Sequence, residues 1–154
     1  MEDIEIRIAE LTDLDGLCNL EAATFDPAKY HMLSRRQFRY LLTKGNADIL
    51  VAIYEGKIVG AAILFYRKTS RFGRLYSLAV HSSLQKRSIG RLLFEVAEKT
   101  MMQRGLKGLL CEFRQDEAQL SDFYKKMGCQ PIGILKNYYA DGMIGIKTKK
   151  IFKQ

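Results

Sequence analysis

The sequence predicts an α+β (α/β) fold in which about four helices flank a mixed, mostly antiparallel seven-stranded sheet, in the order β-α-α-β-β-β-α-β-α-β-β. Three patterns predict it. Residues 4 to 8 alternate apolar and charged, the period of a half-buried strand. Two apolar runs face each other across Glu55-Gly56-Lys57, as in a hairpin. A helical run separates two further strand-like segments, which makes those strands parallel and places one crossover at the centre of the sheet.

Each element has its own signal. In strand 1, Ile4, Ile6 and Ile8 alternate with Glu5 and Arg7. Thr12-Asp13-Leu14-Asp15 reads as a capping box, after which Leu14, Leu17, Cys18, Ala22 and Phe25 share a helical face. A second box, Ser34-Arg35-Arg36-Gln37, opens helix 2, and Gly45 is placed to stop it. "DILVAIYEGKIVGAAILFYR" supplies strands 2 and 3, and polar "KTSRFG" leads to "RLYSLAV", strand 4, beside strand 3. Ile89, Leu92, Leu93, Val96, Ala97 and Met101 keep helical spacing in helix 3, closed by Gly105. "KGLLCEF" is nearly continuous apolar sequence, as in a strand buried on both faces. Leu120, Phe123, Tyr124 and Met127 mark helix 4, stopped by Gly128. "CQPIGIL" and "GMIGIKTKKIF" flank Asp141-Gly142 in a final hairpin.

The length of 154 residues suits one domain, 1–154, with no linker or repeat to divide it. At 47% hydrophobic and 27% charged, the chain has the composition of a globular protein. The N-terminus carries Glu2 and Asp3 where a signal peptide would be basic, and the longest apolar run, Ile58 to Tyr66, is under half of the roughly 20 residues needed to span a bilayer. A cytoplasmic protein without membrane association is expected. Cys18, Cys111 and Cys129 form no CxxC pair and His31 and His81 stand apart, so no metal site is expected. A net charge of +8 favours an acidic ligand.

The stretch Gln85-Lys86-Arg87-Ser88-Ile89-Gly90-Arg91 joins the end of strand 4 to helix 3. A helix N-terminus offers unpaired N–H groups and a positive dipole end, so a small-residue, basic turn leading into one can wrap a phosphate. The competing reading is a capped helix with solvated basic residues, which explains Ser88 but not Gly90. Neither the P-loop pattern nor a dinucleotide GxGxxG is present.

The turn resembles the acyl-CoA pyrophosphate turn of the Gcn5-related N-acetyltransferases (GNAT): Gln or Arg, two residues, Gly, one residue, then Gly or Ala. Gln85, Ser88 and Gly90 occupy those positions, with Ser in place of the first Gly. The element order is that family's over essentially the whole chain. "CEFRQDEAQLSDFYKKMGC" is similar to the subgroup that acetylates protein N-termini, including ribosomal-protein alanine acetyltransferases. Glu112, Arg114, Tyr124 and Gly128 match its pattern, whereas Glu117 replaces Asn, Leu120 an Ala, and Cys129 an aromatic residue.

The resemblance implies acetyl-CoA as acyl donor and a primary amine as acceptor, best a protein or peptide N-terminal α-amine, in a ternary complex. It places the backbone of Leu78, Ala79 and Val80 along the pantetheine at a splay between strands 4 and 5, with the Val80 N–H on the thioester carbonyl. It implies Gln85, Lys86, Arg87, Ser88, Ile89, Gly90 and Arg91 as the pyrophosphate turn. Glu112 would be the general base acting through water, Tyr124 the donor to the leaving thiolate, and Tyr138 and Tyr139 the acceptor groove. For each there is a plainer role: a core strand for Leu78 to Val80, and an ion pair with Arg114 or a neighbouring strand for Glu112. Tyr124 could be simple core, and Tyr138 and Tyr139 packing for the last hairpin. A basic nucleic-acid or ribosome-binding module is the alternative function, with a non-catalytic acyl-CoA sensor as a third. The chain has no aromatic-interleaved basic stripe, and nucleic acid is not the expected partner.

Overall fold

The structure is a computed structural model that describes residues 3–153, except for the side chains of Lys86 and Arg87. The strands are β1 (Glu5–Ile8), β2 (Ala47–Tyr54), β3 (Lys57–Phe65), β4 (Phe72–Val80), β5 (Gly108–Arg114), β6 (Gln130–Leu135) and β7 (Gly145–Ile151). The helices are α1 (Leu14–Thr24), α2 (Arg35–Thr43), α3 (Ile89–Gln103) and α4 (Ala118–Lys126), with short 3-10 turns at Leu11–Asp13 and Ser82–Arg87. This is the predicted order. One seven-stranded sheet runs β1-β2-β3-β4-β5-β7-β6. Its only parallel pair among the described strands is β4 with β5.

The β2–β3 turn consists of Glu55 and Gly56, both at positive φ (51° and 75°), as a tight two-residue hairpin requires. The continuous apolar runs on either side follow from burial of both faces. Leu50, Ala52, Ala62 and Leu64 pack beneath α3, while Ile49, Val51, Ala61 and Ile63 pack beneath α1 and α2. Phe94, Leu93 and Met101 of α3 are fully buried on one side, and Leu17 and Phe38 on the other. Each such side chain contributes about 1.5–3 kcal/mol on burial.

Helix 2 starts as predicted, with the Gln37 N–H donating to Ser34 Oγ (3.1 Å) and the Ser34 N–H to Gln37 Oε1 (2.8 Å). Helix 1 differs. Asp13, not Thr12, organises its start, accepting the Glu10 N–H at 2.7 Å and both terminal nitrogens of Arg7 at 2.8 and 3.0 Å. A carboxylate facing a guanidinium outcompetes a hydroxyl for this position. The final hairpin inserts its second strand between β5 and β6, pairing β7 with β5 from Gly108↔Ile151 to Arg114↔Gly145.

Candidate active site

The parallel register of β4 with β5 runs from Phe72↔Gly108 to Leu75↔Cys111 and stops there. On the other side of β4 the register with β3 shifts, with Leu75 opposite Leu64 but Ser77 opposite Ile63, so Tyr76 is an inserted bulge residue. A bulge bends its strand and increases local twist. Beyond it β4 stays with β3 and β5 stays with β7, and a wedge opens between them.

Backbone alternation decides which groups face that wedge. The His81 N–H donates to Val59 O at 2.8 Å across to β3. In an antiparallel ladder the next residues turn the opposite way. Ala79 therefore points its polar backbone at β3, and Leu78 and Val80 point theirs into the wedge. The Val80 carbonyl takes a hydrogen bond from Gln85 Nε2 at 3.2 Å, which ties the following turn to the strand end.

In that turn Ser88 has φ 63° and ψ 17°, a left-handed conformation that costs a non-glycine residue about 1 kcal/mol. Its carbonyl accepts the first α3 bond, from Leu92 N at 3.0 Å. The N–H groups of Ile89, Gly90 and Arg91 precede any intrahelical acceptor. Ile89 buries its side chain completely and offers only backbone; Arg91 is exposed and lies 3.3 Å from Glu95. A Cβ placed on Gly90 would meet Phe123 at 3.7 Å and Val80 at 3.8 Å, ordinary contact distances. No neighbour within the chain requires glycine there. Lys86 and Arg87 belong to the same turn, and their side chains lie outside the described residues.

A cavity of about 240 Å³ fills the wedge, bounded by β4, β5, α4, the end of α1, the α1–α2 loop and the loop before β7. Glu112 lies in its wall with its side chain 9% exposed. Arg74 Nη2 donates to Glu112 Oε1 at 2.6 Å, and the Tyr138 hydroxyl donates to the same oxygen at 2.9 Å. Glu112 thus has the neighbouring-strand ion pair weighed from the sequence, with Arg74 as the partner. Arg74 Nε is buried without a hydrogen-bond partner among the described residues.

Tyr124 lines the same cavity from α4, its ring stacked on Phe113 with centroids 5.7 Å apart. Its hydroxyl makes no hydrogen bond among the described residues, and burial pushes its pKa well above the usual tyrosine value. It remains a neutral donor. Tyr139 packs edge-on against both Tyr138 (5.0 Å) and Tyr30 (5.5 Å). Burial, reinforced by Glu112, also raises Tyr138.

Arg114, 1% exposed, makes no hydrogen bond or ion pair with Glu112 among the described residues. It is held by Asp141 (2.8 and 2.9 Å), Asp116 (3.0 Å) and the Lys29 carbonyl (3.0 Å). With the Ala140 N–H on Lys29 O at 3.2 Å, this joins the α1–α2 loop to the loop before β7 over the cavity. Tyr30 donates to Glu117 Oε2 at 3.0 Å, so the residue that replaces the subgroup's Asn also anchors that loop.

Sequence reasoning did not find Arg74, Tyr76, Glu21 or Tyr30. Arg74 and Tyr76 do fall at alternate positions with Leu78 on "RLYSLAV", a polar face on a buried strand that could have flagged them. Glu21 and Tyr30 carry no such signal. Among the described residues no cluster of three or more His, Cys, Asp or Glu side chains could hold a metal ion. No helix among them is long and apolar enough to cross a membrane.

The chain as a whole is similar to known proteins. The ribosomal protein bS18-alanine N-acetyltransferase of Salmonella typhimurium is 27% identical over 136 residues, covering 87% of this chain and 86% of that protein. The crystal structure of the ribosomal-protein-S18-alanine N-acetyltransferase from Escherichia coli superposes with a TM-score of 0.86 at 22% identity, over 99% of this chain and 96% of that one, which shows a common fold. The NatC complex bound to Gag peptide and CoA aligns with a TM-score of 0.83 at 17% identity, over 99% and 100% of the two chains. The model of the acetyltransferase (GNAT) family matches residues 14–129, which take in the wedge, the turn before α3, Glu112 and Tyr124. With family, fold and order of elements in agreement, the chain is an acyltransferase of the GNAT family.

Proposed function

We propose that the whole chain, as one domain in the cytoplasm, transfers the acetyl group of acetyl-CoA to the α-amine of a protein or peptide N-terminus by direct attack in a ternary complex. The observation that carries this reading is the wedge: an unpaired strand edge at Leu78 and Val80, a helix N-terminus at one end, and an unpartnered tyrosine hydroxyl along its side. The pyrophosphate lies on the N–H groups of Ile89, Gly90 and Arg91, with Gln85 fixing the turn and Lys86 and Arg87 adding positive charge. The pantetheine continues along β4, adding the strand edge that β5 leaves open. The Val80 N–H then polarises the thioester carbonyl as negative charge develops on its oxygen.

The acceptor enters from the side walled by Tyr138, Tyr139 and the α1–α2 loop. Attack forms the C–N bond and breaks the C–S bond. Tyr124 hydrogen-bonds the departing thiolate. Full proton transfer from a phenol raised above its usual pKa of about 10 to a thiolate near 8.5 is uphill, so the sulfur takes its proton through solvent. Glu112 Oε1 is occupied, which leaves Oε2 to receive, through water, the proton lost as the amide forms. An α-amine, with a pKa near 8, is deprotonated about 2.4 units more easily than a lysine near 10.4. Acetylation of a lysine side chain or small amine is the alternative within this chemistry.

Thermal unfolding against acetyl-CoA, CoA and ATP tests the donor half. One-site binding at a hundredfold the Kd stabilises the native state by about 2.7 kcal/mol. A saturable shift with acetyl-CoA but not ATP is expected, followed by thiol release with peptides bearing free N-termini. Equal shifts with ATP, or none, would sink the cofactor assignment.

A further inference from the structure

A second carboxylate, Glu21 in the last turn of α1, faces the same cavity as Glu112. The two differ in how they are neutralised. Glu112 shares one oxygen with a guanidinium and a phenol. Glu21 has one bond among the described residues, from the neutral Leu33 N–H to its Oε2 at 2.9 Å, and no cation. Among the described residues, the arginines that line this cavity are already paired, Arg74 with Glu112 on β4 and β5, and Arg114 with Asp116 and Asp141. The other titratable groups facing it are His31 and Tyr30 of the α1–α2 loop, Tyr76 of β4, Tyr124 of α4, and Tyr138 and Tyr139 of the last loop. Among the described residues α2 sends no charged side chain into the cavity.

We propose that Glu21 is the acceptor-binding carboxylate: it holds the incoming primary ammonium and takes the proton that must leave before the nitrogen can attack. The inference rests on the amine-acetylating reading above and adds a residue to it. A half-buried carboxylate without a cation is costly unless a ligand supplies one, and a protonated amine has the complementary charge. Burial raises the Glu21 pKa, which makes it a better proton acceptor than an exposed carboxylate.

The protons then balance. The ammonium gives one proton to Glu21, which passes to solvent. The neutral amine forms the C–N bond as the C–S bond breaks. The second nitrogen proton leaves through water on the Glu112 side, and the thiolate takes one from solvent. The products are the N-acetyl amide, CoA as the thiol, and one net proton.

The test is E21Q, which keeps an oxygen for the Leu33 N–H, compared with wild type and E112Q. Thiol release with acetyl-CoA and an alanine-initiated hexapeptide is followed from pH 6 to 9, and acetyl-CoA affinity is read separately by thermal shift. E21Q is expected to bind acetyl-CoA normally, to lose about 100-fold in kcat/KM at pH 7, and to recover as the pH passes the acceptor's own pKa near 8. E112Q is expected to lose turnover without this recovery at high pH. If E21Q keeps kcat/KM within threefold of wild type with a parallel pH profile, Glu21 is not the acceptor carboxylate, while the acetyltransferase reading stands. A wild type that releases no thiol with this peptide, with lysine or with a polyamine overturns that reading and the Glu21 assignment together.

Discussion

The Tyr124 hydroxyl is the most informative single atom to remove. In Tyr124→Phe the ring keeps its stacking on Phe113 and its edge contact with Phe123, at centroid distances of 5.7 and 5.2 Å. No hydrogen bond among the described residues is lost with the oxygen, so stability should hold within about 0.5 kcal/mol. What the variant loses is a donor to a thiolate that exists only as the C–S bond breaks. A hydrogen bond to a charged group contributes about 1.5–3 kcal/mol, and at about 1.4 kcal/mol per decade this is roughly a 10- to 150-fold fall in kcat. Because the neutral thioester sulfur is a poor acceptor, the acetyl-CoA Kd should stay within about twofold. The assay is initial-rate thiol release at saturating acetyl-CoA, with the midpoint of denaturant unfolding measured on the same preparations. Turnover within twofold of wild type would refute the thiolate role. A loss of stability above 1 kcal/mol would instead show that the hydroxyl holds the core.

Gly90→Ala separates folding from cofactor binding, since the added methyl meets only ordinary contacts. Alanine should raise the stability of α3 by up to about 1 kcal/mol, and because the turn pattern admits Gly or Ala at this position the acetyl-CoA affinity should stay within about threefold; a loss of tenfold or more would contradict the match of Gly90 to that pattern. Asp141→Asn tests the tie over the cavity by pH. Hydrogen bonding to Arg114 holds the Asp141 carboxyl at about 2 in the folded state, against about 3.9 unfolded. Its contribution is complete above pH 4 and lost as the pH falls toward 2, so the wild-type advantage in denaturant unfolding should shrink across that window. A gap constant from pH 7 to 2.5 would contradict it.

What the sequence made legible is what neighbours in the chain decide. The Glu55-Gly56 turn, the Ser34–Gln37 cap and the parallel crossover depend on residues a few positions apart, or on one intervening helix, and all are present in the structure. Glu112 stood out because a carboxylate on an apolar strand needs a reason. Its partner did not, since Arg74 lies 38 positions away and its side chain reaches Glu112 only across the β4–β5 pairing. The Arg114 contact with Lys29 spans 85 positions, and the Tyr30 bond to Glu117 spans 87. No local period encodes such pairs. The displaced start of α1 has the same origin, a bond from β1 through Arg7 that overrides the local box.

This division follows the two halves of the proposed site. Everything assigned to the cofactor lies in one stretch from Leu78 to Arg91, apart from Tyr124, because a pyrophosphate is recognised by backbone N–H groups at a helix start. The acceptor half is assembled from α1, its following loop, two strands and the loop before β7, and its two arginines are each neutralised by carboxylates. Such a wall can be rebuilt by changing one partner at a time without disturbing the turn or the wedge. Chains that share the cofactor half can therefore diverge in acceptor, and similarity across residues 14–129 speaks more strongly to the donor than to the amine. Among the described residues, Glu21 is an acceptor-side carboxylate with no cation beside it. A cationic acceptor would complete the balance.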